Sequence, residues 1–296
     1  MTAPAPLDPV ERTLQLGTGL RYHVLEWGAD RPELDHTVLL LHGFLDLAWG
    51  WVATVRAGLA ERFHVVAPDL RGHGDSDWIG PGGYYHFIDY LADVDEVART
   101  VARGKLSLVG HSMGGSVASY YAGAFPERVH RLVLLEGLGP PEQHAAVPER
   151  VRLWLDSWRR VREREPRSHA GIDQAAARLR SHDALLGEEL ARELAVHGTR
   201  PAPGGGVAFK HDPLHMTMGP MPFRVDYAAE FWTRIACPVL WVEGEHSAFR
   251  QAPGEVNRRV DLLPDAERAV LPAAGHMMQR HQPAALAELV AAFLSR

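Results

Sequence analysis

At 296 residues the chain is long enough to bury one large core, with or without an inserted segment, and its 46% hydrophobic and 23% charged residues exclude disordered and fibrous classes. A net charge of −6 leaves no basic surplus to neutralise a phosphate backbone or an anionic bilayer, so neither nucleic acid nor a membrane surface is an expected partner. The single cysteine, Cys237, allows neither an internal disulfide nor a cysteine-based zinc site, and its place before Pro238 and an apolar run reads as core packing.

The opening residues, Met1 to Pro9, lack the basic start and apolar stretch of a secretory signal, and no run of apolar residues is long enough to span a bilayer. A cytoplasmic protein is expected. Thr13 to Leu16 and Leu20 to Glu26 flank Gly17-Thr18-Gly19, the turn chemistry of a hairpin. Short apolar runs then follow at Thr37 to Leu41, Phe63 to Ala67, Leu106 to Val109 and Leu132 to Leu135, and again at Val239 to Val242 and Ala269 to Leu271. Helix-length segments separate most of them, which predicts a parallel sheet entered through an antiparallel edge.

Between Leu135 and Val239 the alternation stops for about a hundred residues, too long for a simple crossover, and an inserted cap is expected there. In it Val151, Trp154, Leu155, Trp158 and Val161 fall at helical spacing, closed by Pro166. A second helix is expected over Ile172 to Arg180, and a third carries Leu186, Leu190 and Leu194 to Gly198, a residue suited to end a helix in the left-handed conformation. Pro201 to Gly206 reads as a loop. The basic run from Arg159 to Glu165 is interleaved with acid and reads as a solvated helix face. His211 and His215 have the spacing of a metal pair on a helix, but Pro213 between them opposes that helix; no metal and no cofactor is expected.

The chemistry centres on Ser112 in Gly110-His111-Ser112-Met113-Gly114, which follows a buried strand and precedes the helix-compatible run from Gly115 to Ala122. Flanking glycines let the backbone crowd there and present the hydroxyl at the carboxyl edge of the sheet; the bland alternative is a serine capping the helix. A serine hydroxyl needs a neighbouring base. Of 17 histidines, His276 follows the last predicted strand and precedes the terminal helix near Pro283, on a loop at that same edge. His281 lies nearer the helix, while His144, His169, His182 and His197 lie in the cap. Charge developing on an acyl oxygen calls for two backbone N–H donors, expected from Met113 and from Phe44 in His42-Gly43-Phe44.

Together His42-Gly43-Phe44, the stretch Pro68 to Ser76, Gly110 to Gly115 and Gly275-His276 resemble the α/β-hydrolase superfamily, in order and spacing, on both sides of the insertion. The resemblance implies an α/β fold with a mostly parallel eight-stranded sheet flanked by helices and a mainly helical cap after the sixth strand. It divides the chain into core at 1–139, cap at 140–235 and core at 236–296. It also implies a structural role for Pro68 to Ser76 and a carboxylate supporting His276. The family's usual aspartate, after the seventh strand, aligns with Ser247. Some members take the acid from the end of the sixth strand, where Glu136 stands, and a carboxylate there is costly to desolvate without a partner such as His276. Glu136 is the preferred acid, with Glu245 and Glu243 as competitors.

Phe44, His111, Met216, Met218, Phe223 and Met277 are expected to line an apolar acyl pocket, with core packing as the alternative, as also for Met221. A serine nucleophile argues against dehalogenase and epoxide-hydrolase chemistry, which use aspartate. The expected activity is carboxylesterase-like hydrolysis of a small, largely apolar ester. Carbon–carbon bond hydrolysis, lactonase or thioesterase action, and a slow or inactive ligand-binding protein on the same fold, are the alternatives.

Overall fold

Eight of ten strands form one sheet in the computed structural model, which describes residues 8–142, 146–163, 167–248 and 253–296. In chain order the strands are β1 (Val10–Gln15), β2 (Arg21–Trp27), β3 (His36–Leu41), β4 (His64–Pro68), β5 (Lys105–His111), β6 (Arg131–Leu135), β7 (Thr199–Pro201), β8 (Val207–Phe209), β9 (Val239–Gly244) and β10 (Ala266–Leu271). The large sheet runs β1-β2-β4-β3-β5-β6-β9-β10. The β1/β2 and β2/β4 pairs are antiparallel and every other pair is parallel. The central strands are apolar on both faces, Val38 to Leu41 and Leu132 to Leu135 being fully buried, because helices cover both sides of a parallel sheet.

The helices are α1 (Asp89–Val101), α2 (Met113–Ala124), α3 (Val147–Arg162), α4 (Ile172–His182), α5 (Glu188–Gly198), α6 (Val225–Trp232), α7 (Pro253–Val260), α8 (Met278–His281) and α9 (Pro283–Leu294). On one face of the sheet, Leu286, Val290 and Phe293 of α9 pack with Trp51, Val55 and Leu59 of a helical stretch over residues 48–62. On the other, Val94 and Val97 of α1, Val117 and Tyr121 of α2, and Ala228 and Trp232 of α6 form a second core. Each such large side chain contributes about 1.5–3 kcal/mol by leaving water.

Between β6 and β9 stand α3, α4, α5, the β7/β8 hairpin and α6. Ala175, Ala191 and Leu194 carry the first core up into α4 and α5, so these helices are joined to the body by apolar contact. Helix α6, which falls inside the expected cap span of 140–235, packs instead on α2: the Trp232 indole N–H donates to Ser119 Oγ at 3.0 Å, and Gly123 leaves room for the backbone of Phe231. It belongs to the helix layer of the core. The expected left-handed end at Gly198 is corrected. Gly198 is the last residue of α5, and Thr199 continues it at φ −124° directly into β7. Of Pro201 to Gly206, read as a loop, Pro201 ends β7 paired with Val207 and the rest form the turn of the β7/β8 hairpin, with Gly205 and Gly206 at positive φ. Met1 to Leu7, His144, the helix-closing Pro166 and the Arg164-Glu165 part of the charge run lie outside the described residues. No helix among the described residues is long and apolar enough to cross a membrane.

Candidate active site

Strand β5 ends at His111 and α2 begins at Met113; Ser112 between them has φ 51° and ψ −117°, a backbone state that costs on the order of 1–3 kcal/mol in a non-glycine residue. Its neighbours pay out the space. A Cβ on Gly110 would lie 2.5 Å from the carbonyl of Gly114, one on Gly114 2.5 Å from the carbonyl of His42, and one on Gly115 2.7 Å from the Cα of Gly137. The crowded turn is pinned by the Ser112 N–H, which donates to the Leu135 carbonyl at 2.9 Å, and by the Ser112 carbonyl, which accepts from Ser116 N–H at 3.1 Å.

Glu136 follows the last residue of β6, itself at φ 48°, with its N–H donating to the Val242 carbonyl at 3.2 Å. Its carboxylate is buried, the side chain only 1% exposed. Oε1 accepts the Gly244 N–H at 2.9 Å, and Oε2 accepts both the Ser247 hydroxyl at 2.7 Å and His276 Nδ1 at 2.6 Å. These donors supply what a buried carboxylate needs. With Nδ1–H committed to the carboxylate, the neutral ring presents Nε2 as a base.

The loop carrying His276 is held from below. His111 is fully buried, and its Nε2–H donates to the His276 carbonyl at 2.9 Å. Gln279 Nε2 lies 3.4 Å from His111 Nδ1, consistent with that tautomer. Burial first, and then the nearby His276, hold the His111 pKa well below the usual histidine range, so this ring stays neutral. His111 is therefore a buried support of the His276 loop.

The His42-Gly43-Phe44 loop lies directly against Ser112: a Cβ on Gly43 would sit 2.7 Å from His111 Nδ1 and 3.3 Å from Ser112 Cβ. Leu70 N–H donates to His42 Nε2 at 2.9 Å, and His42 Nδ1 donates to the Gly43 carbonyl at 2.7 Å, which fixes the loop to the turn after β4. In that turn the buried Asp69 accepts Ala48 N–H at 2.7 Å, Asp75 N–H at 2.9 Å and His23 Nδ1 at 2.8 Å. Burial disfavours its charge, but His23 and these backbone donors hold its pKa below the usual carboxylate range. The Met113 N–H is among the first of α2, which have no acceptor within the helix and lie at the positive end of its dipole.

Of the residues expected to contact substrate, Phe44 and Met277 are brought together. They line a cavity of about 80 Å³ between the loop after β3, the start of α8, and Leu179 and Leu194 of α4 and α5. The other four are not among its lining. Met216 and Met218 stand on the cap edge, 61% and 43% exposed, and His111 is buried beneath the site. Phe223 packs over Gly139 with the Arg259 guanidinium 5.0 Å from its ring. Glu245 is solvent-exposed and accepts Ala273 N–H at 2.8 Å, anchoring the turn before His276. Glu243 is half-buried beside a second cavity that Glu136, Trp241 and Arg259 also line.

Among the other histidines, His281 pairs with Asp183 at 2.7 Å and accepts Gly275 N–H at 3.0 Å, while His197 of α5 stacks on Trp49 of the core. His211 and His215 flank and enter a 3-10 turn, Pro213–Met216, capped by Asp212, and not a regular helix. The one His/Asp group among the described residues that is close enough to share an ion is His23, Asp69 and Asp75, where Asp69 is already engaged as above. Ser247 and Gln279 carry site contacts that no spacing rule singles out, because each reaches its partner across more than a hundred residues of chain.

A parallel sheet that presents a strained serine at a strand-to-helix turn, with a histidine bonded to a buried carboxylate on a loop tied to the residue before that serine, has the architecture of a hydrolase. Residues 36–280 match the family model of the alpha/beta hydrolase fold, and the chain belongs to that family. It is 30% identical over 291 residues to an esterase of Mycobacterium tuberculosis, covering 96% of this chain and 89% of that one. A serine hydrolase-like protein of Danio rerio is 26% identical over 90% of this chain and 83% of its own. Among solved structures, a thioesterase domain from the curacin biosynthetic pathway superposes with a TM-score of 0.83 at 29% identity, covering 96% of this chain and 99% of that one.

Proposed function

We propose that the protein hydrolyses a carboxylic ester, or a related acyl bond, of a small and largely apolar substrate through an acyl-enzyme on Ser112. The observation that carries the reading is the buried Glu136 carboxylate bonded at 2.6 Å to His276 Nδ1, with Ser247 and Gly244 completing its donors. A binding protein that had abandoned turnover has no need to bury a carboxylate against that ring.

In this reading Ser112 Oγ attacks the acyl carbon and His276 Nε2 takes its proton. The charge that appears on the ring is balanced by Glu136. The oxygen of the tetrahedral intermediate receives the N–H groups of Phe44 and Met113. His276 then returns the proton to the leaving oxygen, the C–O bond breaks, and water repeats the sequence on the acyl-enzyme. Phe44 and Met277 contact the substrate in the cavity between core and cap.

Thioesters are cleaved by the same steps with sulfur as the leaving atom, and the thioesterase domain at 29% identity supports keeping them in view. The test is a panel of p-nitrophenyl esters of rising acyl length, run beside lactones and thioesters with Ser112→Ala as the control. Turnover of esters, abolished by Ser112→Ala, is expected, and the acyl length that is cleaved fastest reports the depth of the acyl pocket. Turnover that survives Ser112→Ala, or none on any acyl compound, overturns the reading.

A further inference from the structure

We infer that His215, carried down from the cap edge, is a positioning residue for the oxyanion loop, acting through His73 on the backbone that presents the Phe44 N–H. This rests on the hydrolase reading above and deepens it.

The segment after β8 returns from the cap onto the turn that follows β4. Lys210 Nζ meets the Asp75 carboxylate at 2.6 Å, Asp212 N–H donates to the Gly72 carbonyl at 2.8 Å, and the Tyr85 hydroxyl donates to Asp212 Oδ2 at 2.7 Å. His73 and His211 add an isolated antiparallel bridge. This dock delivers His215 onto His73, the rings stacked with centroids 4.2 Å apart and planes 28° apart. Tyr85 flanks it at 3.9 Å and Phe44 meets it edge-on at 6.1 Å. Gly72, at φ 75°, is the seat: a side chain there would run into both His215 and Tyr85.

His73 has one free direction left, and it points at the oxyanion loop. Its Nδ1 donates to the Arg71 carbonyl at 3.0 Å, so Nε2 is the acceptor for Leu45 N–H at 3.3 Å. Leu45 sits at φ 57°, a left-handed state that a leucine adopts only where its surroundings compel it. Asp46 N–H is tied back to the Gly43 carbonyl at 3.3 Å. With the peptides at 45 and 46 both anchored, the peptide between Gly43 and Phe44 is held from its far side by His73. The His73 ring in turn keeps its plane by packing between His42, 5.0 Å away edge-on, and His215. Burial keeps both stacked rings neutral, the His215 pKa pushed down to about 3 and that of His73 well below the usual range, so no like charge opposes the stack.

An oxyanion donor contributes to kcat and little to ground-state binding, and a misplacement of about 1 Å is enough to cost up to roughly a hundredfold. His215→Ala, which leaves the His73 ring free to tilt, is expected to lower kcat on p-nitrophenyl butyrate by about 10- to 100-fold with KM changed less than about twofold. Inhibition by an alkyl trifluoromethyl ketone, whose adduct places an oxyanion in the same spot, should weaken in proportion. His215→Phe, which keeps a flat ring on His73, should restore most of kcat. If His215→Ala does not fold, His215→Leu, with bulk but no plane, takes its place with the same expectation. A loss confined to KM means that His215 only docks the cap and overturns the inference, as does a phenylalanine variant no better than alanine or an unchanged kcat. If the wild-type protein turns over no acyl substrate, the hydrolase reading fails and the inference with it; if wild type is active and His215→Ala is equally so, the inference alone fails.

Discussion

Replacing Glu136 by glutamine changes one atom at the centre of the site, and its consequences follow from the donors around it. The carboxylate receives Gly244 N–H on one oxygen, and the Ser247 hydroxyl and His276 Nδ1–H on the other. An amide brings its own N–H₂ into this ring of donors. If its oxygen stays toward His276, the amide nitrogen faces the Gly244 N–H, and that buried clash costs about 1–3 kcal/mol. If it turns the other way, His276 must present a bare Nδ1, and the proton moves to Nε2, where it blocks uptake of the Ser112 proton. In either orientation the charge that balanced the imidazolium is gone. Loss of the equivalent carboxylate charge in serine hydrolases lowers kcat about 10⁴-fold, which at 1.36 kcal/mol per decade is about 5.4 kcal/mol of transition-state stabilisation. The assay is steady-state hydrolysis of p-nitrophenyl butyrate, with circular dichroism to establish folding and Glu245→Gln as the comparison. Glu245, exposed, bonded to the turn at Ala273 and with His246 Nε2 3.8 Å away, should change kcat/KM by less than about threefold. A folded Glu136→Gln enzyme within about tenfold of wild type refutes the assignment, all the more if Glu245→Gln carries the loss.

Ser247→Ala removes a neutral donor to Glu136 and leaves its charge, so kcat should fall by only about tenfold, near 1.4 kcal/mol, with KM steady; a loss as deep as that of Glu136→Gln contradicts the supporting role. Gly114→Ala forces a methyl against backbone carbonyls that cannot swing aside, so thermal denaturation should show a loss of at least about 2 kcal/mol, and unchanged stability would show that the turn is looser than its contacts imply. Stability should fall on acidification. Burial first, with His130 beside it, pushes the pKa of His36 down to about 4, and burial lowers those of His73, His111 and His215 as well. The unfolded chain takes up protons near pH 6.5 that these rings refuse, so their contribution is complete above that pH and is lost as pH falls toward about 4. His23, raised by Asp69 and Glu11 against its own burial, opposes the trend. Urea midpoints at pH 7 and pH 5 measure the balance, and a midpoint that rises at pH 5 contradicts it.

Much of the sheet is legible in the chain because buried parallel strands leave an unmistakable trace: uninterrupted apolar runs such as Val38 to Leu41 and Leu132 to Leu135, punctuated by turn residues. The elbow around Ser112 is legible for the same kind of reason, since close backbone approach at Gly110, Gly114 and Gly115 excludes any side chain there. Helix α6 was harder to place. Its apolar face serves the core, yet it follows the cap in sequence with no marker of the return. Gly198 illustrates the limit of single-residue signals: a Cβ there would meet Leu47 at no closer than an ordinary 3.7 Å, and the left-handed freedom the glycine offers goes unused. The links of Ser247 to Glu136, Gln279 to His111 and His215 to His73 each join segments more than a hundred residues apart in the chain, which no local pattern encodes.

The most direct test of the central claim is covalent labelling with a fluorophosphonate, followed by peptide mass spectrometry. An activated serine gives one adduct, on the peptide that carries Ser112, absent in Ser112→Ala and formed far more slowly in Glu136→Gln. Failure of the wild-type protein to label, or an adduct on a different residue, would contradict the assignment of Ser112, His276 and Glu136 as a working hydrolytic site.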